Sequence, residues 1–144
     1  MAETFLVGVD GSEGGQRAVD FATARAKSSG ASIVIAYVIE WSPYSFMTPE
    51  ELEERHKQHD EEIAKAKTQV IDALVAAVHA QGMQVKGVVR HGHAAEALCQ
   101  IAKEEKATQL FVGRRGISKL KAMLFGSISG SLVQISPIPV TVVP

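Results

Sequence analysis

The sequence predicts an open, five-stranded, mostly parallel α/β sheet flanked by helices on both faces, and three observations predict it. Short apolar runs alternate with segments of helical period four times, and a fifth apolar run closes the chain. The runs place Val, Ile and Leu at consecutive positions, which suits strands buried on both faces. The chain has 144 residues, 46% of them apolar and 22% charged, enough for one hydrophobic core, and a single domain is expected over residues 1–144.

Phe5-Leu6-Val7-Gly8-Val9 is the first strand, ended by Asp10-Gly11-Ser12. Ser12 stands where it would cap a helix carrying Ala18, Phe21, Ala22 and Ala26 on one stripe, and Gly30 stands at its expected stop. Ile33-Val34-Ile35-Ala36-Tyr37-Val38-Ile39, rich in β-branched residues, is the second strand. A loop over residues 40–47 precedes Thr48-Pro49-Glu50-Glu51, a helix start with Thr48 as cap, Pro49 in the first turn and Glu51 completing a capping box. That helix is expected to reach Gln81 before Gly82. Its charged first half, 50–62, should be solvated, and Ile63, Ala66, Val70, Leu74, Ala77 and Val78 should pack on the sheet. Val85-Lys86-Gly87-Val88-Val89 is the third strand. Ala94, Leu98, Ile101 and Ala102 mark the third helix, with Cys99 as a small buried residue beside them. Leu110-Phe111-Val112 is the fourth strand. A last helix from Gly126-Ser127 carries Ile128, Leu132 and Ile135, and Pro139 opens the final strand, Val140-Thr141-Val142-Val143.

Fifteen Lys and Arg against 16 Asp and Glu give a net charge of −1, not the basic excess of a protein that wraps nucleic acid. Cys99 is the sole cysteine, so no intramolecular disulfide forms, which suits a reducing compartment. The N-terminus lacks a basic stretch followed by an apolar signal region, and no apolar run is long enough to span a bilayer. A cytoplasmic protein without membrane insertion is expected.

Ligands of open α/β sheets sit outside the carboxyl ends of the strands, where strand order reverses. Asp10 closes the first strand and Gly113-Arg114-Arg115-Gly116 closes the fourth. Nine residues later Gly126-Ser127 begins the last helix. Glycine lets backbone N–H groups approach an anion, and a helix N-terminus adds unpaired donors and partial positive charge. Arg114, Arg115, Lys119 and Lys121 crowd the same loop, a local excess suited to polyphosphate.

On these residues the chain resembles the universal stress protein family, from Val7-Gly8-Val9-Asp10-Gly11-Ser12 to Pro139-Val140-Thr141-Val142-Val143. The spacing Gly113-x2-Gly116-x9-Gly126-Ser127 resembles the family's ATP-binding branch. The resemblance implies strand order 3-2-1-4-5, a homodimer through residues 139–143, and ATP, AMP or ADP with Mg²⁺. It implies a nucleotide site of Val9, Asp10, Val38, Val112, Gly113, Arg115, Gly116, Gly126, Ser127, Ile128 and Ser129. Within it Asp10 meets the ribose or metal side, the Val38 backbone meets adenine, and the glycine turns cradle phosphate. Arg115, Gln109 and Gly92-His93-Ala94-Ala95 depart from the family's usual residues, but none removes a backbone phosphate donor.

Plainer explanations stand beside these. The glycines would also serve as turns, and Asp10 and Ser127 as helix caps or turn residues. Trp41, Tyr44 and Phe46 would cover adenine or meet a dimer mate. His56 and His59, three apart on a helix, and His91 and His93 lack a third ligand at site spacing, so solvated positions are expected. With a phosphate cradle and no evident catalytic set, a nucleotide-binding regulatory module of the stress response leads. Slow ATP hydrolysis with Asp10 as base, or a nucleotide-free dimeric scaffold, are the alternatives, and Arg115-Gly116-Ile117 does not match a Walker motif.

Overall fold

The computed structural model describes residues 3–40, 48–114 and 127–144. Five strands, β1 (Thr4–Val9), β2 (Ser32–Glu40), β3 (Val85–Gly92), β4 (Gln109–Gly113) and β5 (Val140–Val143), form one sheet in the order β3-β2-β1-β4-β5. Every neighbouring pair is parallel, as the alternation of strands and helices requires. The helices are α1 (Glu13–Ser29), α2 (Pro49–Ala66), α3 (Asp72–His79), α4 (Ala94–Glu104) and α5 (Ser127–Ile135), with a π-helical turn over Lys67–Ile71 joining α2 to α3.

Residue alternation along the strands sorts the core into two layers. Phe5, Val7, Val9, Ile33, Ile35, Phe111 and Val143 pack with Ala18, Val19, Ala22, Ile71 and Val78 from α1, the π-turn and α3. Leu6, Val34, Ala36, Leu110 and Val112 pack with Leu98, Cys99, Ile101 and Leu132 from α4 and α5. Leu6 and Val7, adjacent on central β1, are both fully buried, the signature of a strand covered on two faces.

Local chemistry sets the helix ends. The Ser12 side chain accepts from Gly15 N–H to cap α1. Gly30 closes α1 in the left-handed region at φ 75°, its N–H donating to the Ala26 carbonyl at 2.8 Å. The capping box of α2 forms in both directions, Glu51 N–H to Thr48 Oγ1 at 3.1 Å and Thr48 N–H to Glu51 Oε2 at 3.4 Å.

Several expectations are corrected. The long helix is not continuous. Its π-turn adds one residue to the winding, so the buried stripe passes from Ile63, Ala66 and Val70 to Ile71, Leu74, Val75 and Val78, while Ala77 faces solvent. Gly87 on β3 shows why: a Cβ there would lie 2.3 Å from Ile71 Cγ2, so Ile71 fills the space of the missing side chain. Phe21 is 38% exposed, leaning on Phe111 at 6.1 Å with the Arg25 guanidinium over its outer face. Ile135, at the last position of α5, is 49% exposed. β2 includes Glu40, and β3 continues to Gly92 because the two pair as far as Glu40 and Gly92. Trp41, Tyr44 and Phe46 lie outside the described residues.

Candidate functional site

Strand order reverses between β1 and β4. α1, which follows β1, packs on one face of the sheet and α5, which follows β4, packs on the other, so a crevice opens beyond the carboxyl ends of these two strands. β2 overhangs it. Its pairing with β1 ends at Val9 and Tyr37, so Val38, Ile39 and Glu40 run on past the end of β1.

The floor of the crevice is built by close approach of backbone. A Cβ at Gly113 would lie 2.7 Å from the Gly14 carbonyl oxygen and 2.8 Å from its carbon, so the end of β4 rests on the first turn of α1. A Cβ at Gly15 would lie 3.2 Å from Val9 Cβ. Gly14 and Gly15 were missed by sequence reasoning. Their signal was present, since two glycines in a first helical turn oppose helix propensity and point to contact.

Asp10 and Ser12 form a tight turn at the end of β1. Asp10 Oδ1 accepts from Ser12 N–H at 3.0 Å and also from Ser12 Oγ–H. Gly11 between them takes φ +83°. Asp10 is thus a turn residue at the carboxyl end of β1, beside the crevice.

On the other side α5 is tied to β4. The Ser129 hydroxyl, on a residue only 2% exposed, donates to the Arg114 carbonyl at 3.3 Å. The first turn of a nine-residue helix therefore meets the carboxyl end of β4. Arg114 N–H is already spent, donating to the Val143 carbonyl at 2.7 Å as the ladder's last bond. Among the described residues, the first turns of α5 and α1 carry backbone N–H groups with no intrahelical acceptor at this end of the sheet.

Val112 and Val38 share the α4 and α5 layer, whereas the Val9 side chain is buried in the α1 layer and only its backbone can reach the crevice. Ser127 is the first described residue of α5. Ile128 lies in the same turn. Arg115, Gly116, Gly126, Lys119 and Lys121 are outside the described residues. Gln109, a departure noted in the sequence, bonds its side-chain N–H to Thr141 Oγ1 and so links β4 to β5.

An open groove of about 520 Å³ runs beside the crevice between α4 and α5, walled by Glu40, Ala95, Glu96, Ser131, Gln134 and Ile135. Of the described site residues, Val9, Asp10, Val38, Val112, Gly113 and Ser129 are not among those lining it. Glu40 Oε1 accepts from Ala94 N–H at 3.4 Å, so a carboxylate occupies the α4 N-terminus, and Glu96 lines the same groove. Glu40 is a third residue that sequence reasoning missed, because its partner lies 54 residues away. Among the described residues no group of three His, Cys, Asp or Glu is arranged to hold a metal, and no helix is long and apolar enough to cross a membrane.

The sequence profile of the Universal stress protein family matches residues 1–144. The chain belongs to the universal stress protein family. The universal stress protein in the QAH/OAS sulfhydrylase 3′ region of Thermus aquaticus is 31% identical, with 99% of each chain covered. Among solved structures, universal stress protein UspA from Lactobacillus plantarum is 24% identical, superposes with a TM-score of 0.85 and covers 99% of this chain and 97% of its own, a likeness of fold. A universal stress protein solved in complex with cAMP is 27% identical, with a TM-score of 0.65, covering 99% of this chain and 96% of its own.

Proposed function

We propose that this universal stress protein binds an adenine nucleotide, ATP, ADP or AMP, in the crevice beyond β1 and β4, and acts as a nucleotide-responsive regulatory module. The observation that carries the reading is the bond from Ser129 to the Arg114 carbonyl, which holds the first turn of α5 against the end of β4. Backbone donors and the positive end of a helix then face the same space as Asp10. The cAMP complex of a relative at 27% identity supports an adenine-bearing, phosphorylated ligand.

In this reading the Val38 backbone, on the β2 overhang, meets adenine, and Val9 offers its backbone. Val112 and Gly113 line the ribose side. Ser127, Ile128 and Ser129 donate to phosphate from α5, with Arg115, Gly116 and Gly126 completing the cradle. Asp10 suits one carboxylate ligand of an Mg²⁺ ion that arrives with the phosphates, whose oxygens supply further ligands. Residues 1–144 act as one domain in the cytoplasm, and a homodimer forms through residues 139–143 on edge strand β5.

Isothermal titration with ATP, AMP and cAMP tests the reading. Wild type is expected to give saturable heat with at least one of them, and Arg115→Gln to weaken that binding roughly tenfold, the scale of one lost charge-assisted hydrogen bond. No saturation with any of the three overturns it. Gly113 is a poor choice for this test, since a side chain there would strike Gly14 whether or not a ligand binds.

A further inference from the structure

Histidines that the sequence leaves as separate pairs meet in space. His59 of α2 stacks on His91 of β3, with ring centroids 4.2 Å apart and planes inclined by 24°. Arg55, one turn earlier on α2, donates its Nε–H to His59 Nε2 at 3.3 Å. A guanidinium offers no acceptor, so this contact requires a lone pair on Nε2 and a neutral imidazole protonated on Nδ1. His91 Nε2 lies 3.0 Å from Glu62 Oε2. Stacked rings aim their nitrogens sideways rather than at a common point, so the arrangement does not serve a metal ion.

The contact matters because it joins an exposed stretch of α2 to the sheet. Ala66, the last residue of α2, is its sole buried residue, and most of α2 is exposed and charged. The strand it lies on, β3, is at the edge of the sheet. We propose that His59 is a proton-sensitive latch, which holds the charged half of α2 against β3 when neutral and releases it when protonated. Protonation turns Nε2 from acceptor to donor, facing a donor on Arg55, and sets a cation against the His91 ring.

The surrounding charges fit this direction. Among the described residues, Arg55, His56 and Glu62 face His59 from α2 and His91 faces it from β3, opposite the apolar Ile39 of β2. Burial first, then the charges of His91 and Arg55, hold His59 below its ordinary value of 6.5. Glu62 opposes them and His56 adds weakly. The docked state therefore takes up the proton less readily than the released one. Its stabilisation is complete above about pH 6.5 and is lost as pH falls through the lower value of the docked imidazole.

Hydrogen exchange of the full chain between pH 7.5 and pH 5, corrected for the intrinsic pH dependence, tests the latch. In wild type, protection of residues 50–62 is expected to fall roughly 3- to 10-fold across this range, the scale of one lost hydrogen bond, while α1 and α4 stay unchanged. His59→Phe keeps a ring on His91 but cannot be protonated, and His59→Gln keeps an acceptor for Arg55. Residues 50–62 should be insensitive to pH in both variants. Unchanged protection in wild type overturns the proposal, and so does an equal loss in both variants.

Discussion

Gly113 ends β4 at a point where a side chain would enter the backbone of Gly14, 2.7 Å from its carbonyl oxygen. The same residue was expected at a phosphate cradle, and the structure shows that packing alone demands glycine there. Because the obstruction is backbone on both sides, it cannot move as a flexible side chain does. Gly113→Ala is therefore expected to destabilise the fold by about 1–3 kcal/mol, the usual cost of forcing a methyl group into a filled site. A lower urea midpoint with an unchanged slope would bear this out, and an unchanged midpoint would contradict it. Asp10 behaves in a related way. Its Oδ1 serves the turn with Ser12, so its place at the crevice and its structural duty are one arrangement. Residue identities of this kind could be located from sequence, at strand ends and beside glycine, but their packing partners could not. Gly14 is 99 residues from Gly113, and local pattern carries no information on such contacts.

At the scale of elements, strand runs were readable because parallel strands buried on two faces need unbroken apolar sequence, as in Leu6 and Val7 or Ile33 to Ala36. Helix starts were readable because Ser12 and Thr48 cap by side-chain chemistry that acts over three residues. The π-turn at Lys67–Ile71 was not readable. A strict 3.6-residue period runs through it, and its cause, the contact of Ile71 with the bare backbone of Gly87, is tertiary. A π-turn holds one residue more than the α-helical path needs, so deleting exposed Gln69 should restore an α-helix with both buried stripes in register. Stability is expected to stay within about 1 kcal/mol of wild type. Deleting exposed Ala76 instead rotates the end of α3 by roughly 100°, turns Val78 away from the core and should lower stability by several times that amount. Thermal melts of the two deletions compare these outcomes directly, and equal losses would contradict the account.

For the whole molecule, the order β3-β2-β1-β4-β5 does what no single motif does. It brings Asp10, the β2 overhang and the α5 first turn, distant in sequence, to one end of the sheet at its switch point. The groove between α4 and α5, with Glu40 and Glu96 among its described lining residues, sits to one side. In the proposed function the crevice, and not the groove, receives the adenine nucleotide. Amide chemical-shift mapping during a titration with ATP tests it most directly. Saturable shifts are expected at Asp10, Val38, Gly113 and residues 127–129, with Glu96 and Gln134 little changed. Shifts confined to the groove, or none that saturate, would contradict it.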